Sequence, residues 1–154
     1  MNEQLIETWQ IHNRINLYLL DAIQPEALSG TASSKGRTVA EQFAHVHNVR
    51  LMWLKSAVPE LLDLVTKIEK EAANDHPLLR QSLVDSGDAM TKLLTTCIEN
   101  GGRVKGFKPH VVGFLGYLVS HESHHRGQIA LTLKQSGHPL DKKTSFGLWE
   151  WGTR

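Results

Sequence analysis

The chain has 154 residues, with 17 Lys plus Arg against 16 Asp plus Glu and a single cysteine. That length can bury about two-thirds of the unfolded surface without disulfides, so one domain spanning 1–154 is expected, and the charge balance excludes a field that would draw it to nucleic acid or an anionic membrane. No run approaches the roughly 18 apolar residues of a membrane span, Cys97 cannot pair within the chain, and Glu3 and Glu7 interrupt any apolar leader, which together predict a cytoplasmic protein.

Residues 3–24 read as a first helix, because Leu5, Trp9, His12, Asn16, Leu19 and Ile23 recur at helical spacing and Pro25 closes the segment. From Pro25 to Arg37 the run PEALSGTASSKGR reads as a long surface loop. Thr38 and Glu41 have the spacing of a capping box and open a second helix to about Ala57, ended or kinked at Pro59. Residues 60–71 are amphipathic and read as helical, either separate or continuing past the kink. A further helix is expected from Pro77 to Glu99, stopped by Gly101-Gly102. The loop after it carries Arg103, Lys105 and Lys108 and reads as a solvated turn. The last long helix runs from His110 to Ser136, stopped by Gly137 and Pro139. The tail from Leu140 shows no helical period, and its Trp149 and Trp151 are expected to pack back on the bundle. Cys97 reads as a buried apolar filler. The pattern is all-α, a four-helix bundle with a long crossover loop between the first two helices, and in such bundles metal sites are assembled in the core from facing helices.

Nine histidines are the unusual count, and they cluster. His121 and His125 lie about 40° apart on one helical face, able to converge on one ion, and Phe114, Leu118, Ile129 and Thr132 place that face toward the core. Two neutral imidazoles buried without partners would cost about 1–3 kcal/mol each, which a shared metal removes. A third ligand must come from another helix. His45 and His47 flank the apolar centre of the second helix on opposite sides, so periodicity leaves both open. His12, with Asn16 one turn on, lies on the apolar stripe of the first helix and reads as core-satisfied or cavity-lining. His124 sits beside the ligand face, and His76, His110 and His138 fall near helix ends as capping or surface residues.

The segments Glu41 to Trp53 (EQFAHVHNVRLMW) and His121 to Ile129 (HESHHRGQI) resemble the DinB/YfiT-like family, four-helix bundles regarded as metal-dependent enzymes. The resemblance covers essentially the whole chain. It implies that the ligand on the second helix is His45, followed eight positions later by Trp53, and that His121 and His125 complete a three-histidine site. Arg126, Gly127 and Gln128 match the accompanying pattern, and His12, Asn16, His47, Asn48, His124 and Gln128 are the candidates for lining the site. The implied cofactor is one divalent transition metal, Zn, Ni or Fe, with positions open to water or substrate. The implied partner is a small-molecule substrate, with a low-molecular-weight thiol as nucleophile in a transferase reaction; a metal hydroxide doing hydrolysis is the near rival. Homodimerisation through a helix face is also expected.

Two other readings compete. His121-Glu122-Ser123-His124-His125 spells H-E-x-x-H, the zinc peptidase signature with glutamate as general base, but Gln128 and Leu131 stand where its extended form needs Gly and His. Glu122 then reads as a surface or outer residue. A non-catalytic bundle that stores or senses metal would close the site with a fourth ligand such as His12 or His47.

Overall fold

A computed structural model describes all residues from Met1 to Arg154, and it is helical throughout: α1 (Asn2–Asp21), α2 (Val39–Ala57), α3 (His76–Glu99), α4 (Val111–Gln135) and the short α5 (Lys142–Gly147), joined by 3₁₀ turns. The one β pairing is an isolated bridge between Val104 and Phe107. α1 and α2 each pack on both α3 and α4 and scarcely on one another. They therefore occupy one diagonal of a four-helix bundle, and the crossover segment 22–38 must span it.

The helix starts follow from their caps. Thr38 accepts from the Glu41 amide at 3.1 Å while the Glu41 carboxylate accepts from the Thr38 amide at 3.3 Å, a complete capping box. Asp75 accepts from the Leu78 amide at 3.0 Å, and the His110 ring accepts from the Gly113 amide at 3.1 Å. Cys97 is buried, as its place in the α3 stripe predicts.

Two expectations fail. Residues 60–71 are not an α-helix: a 3₁₀ turn at Pro59–Leu64 gives way to extended backbone at Val65 and a second turn at Lys70–Ala72. Side chains of α2 explain why, since Asn48 donates to the Ile68 carbonyl at 2.9 Å and accepts from its amide at 3.0 Å, and the His47 Nε2 donates to the Thr66 carbonyl at 2.7 Å. Those bonds divert the backbone groups a helix would pair internally. The tail does contain a short helix, α5, capped by Asp141, and Trp149 is 80% exposed rather than packed, whereas Trp151 is half-buried in a turn that packs on α1 as expected. The chain end also docks through Arg154, whose guanidinium stacks over the Tyr18 ring at 3.8 Å.

The apolar core is divided. One cluster, with Leu19, Leu28, Phe43, Leu79 and Ile129, fills the end near the crossover; another, with Trp9, Leu54, Met90, Phe114 and Leu118, fills the opposite end. Between them runs a buried polar layer of His12, Asn13, Asn16, Arg50, Ser86 and Glu122. Gly87 marks where α1 and α3 approach closely: its carbonyl accepts from the Trp9 indole at 3.0 Å, and a Cβ there would collide with the Asn13 amide. Asn13 cannot yield freely, because it accepts from Arg50 and donates to the Leu83 carbonyl. Gly87→Ala should therefore destabilise by about 1–3 kcal/mol from overpacking, although alanine is worth about 1 kcal/mol more than glycine in a helix interior. Chemical denaturation checks the sign, and a stabilised variant would show that the polar layer is loose.

Candidate metal centre

Neighbouring helices α2 and α4 bring three imidazoles together at the edge of the polar layer. His45 comes from the middle of α2; His121 and His125 lie one turn apart on α4, and each of the three offers a nitrogen within 4.8 Å of the other two. The Nε2 atoms of His121 and His125 stand 3.2 Å apart. Two ligands at about 2.0–2.1 Å from a tetrahedral ion would be separated by about 3.3 Å, so this spacing suits a shared metal. The His45 ring lies 4.6 Å from that of His125 and 5.6 Å from that of His121, centroid to centroid.

Gln42, one turn before His45 on α2, orients the His125 ring. Its Oε1 lies 2.8 Å from the His125 Nδ1, and since an amide oxygen only accepts, Nδ1 carries the proton and Nε2 presents its lone pair to the cluster. Burial pushes the proton affinity of all three imidazoles down, and mutual repulsion adds to it at His125, which falls to about 4; Arg37 adds to it at all three. The donors are thus neutral at pH 7, the form a metal requires. The buried Nδ1 of His121 has no hydrogen-bond partner, so the only side-chain hydrogen-bonding contact of that ring is the one between its Nε2 and that of His125. Donor chemistry, spacing and protonation all fit one divalent ion. Gln42→Leu should keep the fold and weaken metal binding by about 10–100-fold, the usual loss when a partner that orients a ligand is removed; competition with a chromogenic chelator measures it, and undiminished affinity would show that Gln42 does not orient His125.

Glu122, beside His121, is neither a surface residue nor free. It is 1% exposed and points into the bundle, where its carboxylate accepts from the Arg50 fork at 2.6 and 2.9 Å, from Asn16 at 2.8 Å and from His12 at 3.0 Å. Burial by itself raises its proton affinity, but the Arg50 charge and the hydrogen bonds from Arg50 and His12 outweigh it and hold the carboxyl far below its ordinary range. A peptidase base must take a proton from water at the metal, and this carboxylate is committed elsewhere. Arg50 spends its remaining donors on Asn13, Ser86 and the Leu83 carbonyl, so all its N–H groups are paired, and its guanidinium lies 4.9 Å from the Trp9 ring centre.

The other candidates separate accordingly. His12, fully buried, donates from Nε2 to Glu122 and accepts at Nδ1 from Arg126 at 3.3 Å, which leaves no lone pair for a metal; Asn16 takes Arg126 at 2.7 Å. Burial is the main reason His12 stays neutral. His47 is turned to Thr66, His124 is exposed against the outer side of His125, and the buried Oε1 of Gln128 has no partner. Asn48 joins His45 in lining a cleft of about 430 Å³ with Arg37, Glu41, Lys67 and Lys70. On the other side of His121, Tyr117 stacks on the ring at 6.2 Å and continues through Trp53 to Phe107. Gln42, Arg37 and the Glu122–Arg50 pair were not identified from sequence. The signal existed for three of them: Gln42 is one turn from His45, and Arg50 and Glu122 stand on the buried stripes Phe43-Val46-Arg50-Leu54 and Leu118-Glu122-His125-Ile129.

Residues 1–146 match the family model described as the DinB family. Among solved structures, the crystal structure of a DinB-like protein from Bacillus cereus ATCC 10987 is similar over 90% of this chain and 95% of that one, with a TM-score of 0.67 and 17% identity, a likeness of fold. No curated protein matches the chain. No helix is long and apolar enough to cross a membrane.

Proposed function

The chain belongs to the DinB family, and from that premise we propose that it is a metal-dependent enzyme whose single divalent ion is held by His45, His121 and His125 and whose nucleophile is a low-molecular-weight thiol. The observation that carries the reading is the convergence of three neutral imidazoles beside a cleft of about 430 Å³. A divalent ion there supplies Lewis acidity, lowering the pKa of a thiol or water that reaches it. The protein's own residues do the rest. Gln42 keeps the His125 lone pair aimed at the site, and Arg50 keeps Glu122 ionised and withdrawn from it.

An open site is favoured over a storage or sensing site because neither proposed fourth ligand is available: His12 is spent on Glu122 and Arg126, and His47 on Thr66. Tyr117 and Trp53, alongside His121, offer an aromatic wall against which an apolar part of a substrate can lie. Cobalt-substituted protein titrated with 2-mercaptoethanol tests the reading. A saturable thiolate-to-cobalt absorption band is expected; no band, with cobalt still bound, would reject the thiol and leave hydrolysis as the reading to pursue.

A further inference from the structure

The charge around the metal centre does not balance. Three neutral imidazoles leave a divalent ion its full charge, and the one buried carboxylate nearby, Glu122, is already outnumbered by Arg50 and Arg126. To these Arg37 adds another cation, which lines the same cleft as His45. Its backbone is set between a turn, with Lys35 at φ 67° and Gly36 at φ 102°, and the Thr38 capping box. Arg37 is exposed and takes part in none of the chain's ion pairs.

The cleft that Arg37 shares with His45 contains two acids, and both are engaged. Glu41 accepts from the Thr38 amide, and Glu69 lies 3.6 Å from Lys67. Against these two acids stand three cations, Arg37, Lys67 and Lys70, so the cleft carries one excess positive charge beside a dication. An uncompensated guanidinium there opposes metal binding unless an anion lies between them. We propose that this cleft binds a carboxylate of the substrate through the Arg37 guanidinium, with Lys70 beside it, so that the substrate is anchored at one end by Arg37 while its other end reaches the metal. The proposal rests on the metal-site reading above, and it narrows the substrate class to small organic acids, thiol acids if the nucleophile is a thiol.

The test uses protein loaded with cobalt and assayed beforehand to hold one equivalent. It is titrated with 3-mercaptopropionate and with the neutral 2-mercaptoethanol, following the thiolate-to-cobalt band. The acid should bind about tenfold tighter, the scale of one charge-assisted, partly exposed contact. That advantage should vanish in Arg37→Gln and return in part in Arg37→Lys, with mercaptoethanol affinity unchanged. Cobalt affinity without thiol should rise in Arg37→Gln, a sign that loss of a merely structural contact does not give. Equal affinity for both thiols, or a preference that survives Arg37→Gln, overturns the proposal and leaves the metal site standing. If cobalt is bound but neither thiol gives a band, succinate is compared with succinamide by amide chemical-shift titration: succinate preference that depends on Arg37 upholds the carboxylate cleft, and its absence overturns it. Failure to bind cobalt removes both readings.

Discussion

Glu122→Gln should lower the unfolding free energy by about 3–5 kcal/mol, because it leaves the Arg50 guanidinium buried and charged without its counter-ion. Against a typical stability of about 5–15 kcal/mol, that is about a fifth of the total or more. The carboxylate is the only anion in the layer that separates the two apolar clusters, and it accepts from α1 through His12 and Asn16 and from α2 through Arg50. Its removal therefore loosens three helices at once. Converting both residues, in Glu122→Met with Arg50→Met, should recover much of the loss, since a buried pair replaced by apolar groups is often neutral. A double-mutant cycle by urea denaturation reads the coupling; single variants within about 1 kcal/mol of the wild type would contradict a load on this pair. The pH dependence follows with a fixed sign. A carboxyl depressed in the folded state stabilises above its unfolded pKa of about 4.3, and the contribution is lost as pH falls toward the folded value, so acid unfolding should steepen below about pH 5 in the wild type and be flatter in Glu122→Gln.

His45→Ala and His125→Ala should each weaken binding of zinc or cobalt by more than about 100-fold, beyond the usual effect of losing an outer partner. The two histidines come from different helices, so on the proposed reading neither α2 nor α4 would hold an ion alone. His124→Ala, one position away and exposed, is the control that should bind as the wild type does. Metal added at about 100 times its dissociation constant should stabilise the wild type by about 2.7 kcal/mol and the two variants hardly at all. Thermal denaturation with and without metal makes the comparison. Wild-type stabilisation of His45→Ala would mean that the ion sits elsewhere.

Much of this was legible in the sequence, for identifiable reasons. Helices with a strong stripe and a chemical stop, such as α2 from the Thr38 box and α4 to Gly137, appear close to where they were expected. The segment 60–71 did not, because its outcome depends on Asn48 and His47 reaching across from α2, a tertiary effect invisible to local periodicity. The site was legible in part. Turn spacing marks His121 and His125 and turns both toward the core, whereas the most buried polar position of α4 is Glu122, with His125 buried beside it and His121 only half-buried. Charged residues on an apolar stripe are easily assigned to the surface, and that is how Glu122 was misread. Family resemblance alone separates His45 from His47 in the sequence, and in the fold His47 turns to Thr66 while His45 faces α4.

Metal location tests the central claim most directly. Crystals of the protein saturated with zinc, measured on both sides of the zinc absorption edge, should give one strong anomalous peak per chain, about 2.0–2.1 Å from one nitrogen each of His45, His121 and His125. A peak bound by His12, His47 or Glu122, or a site lacking any one of those three histidines, would contradict it.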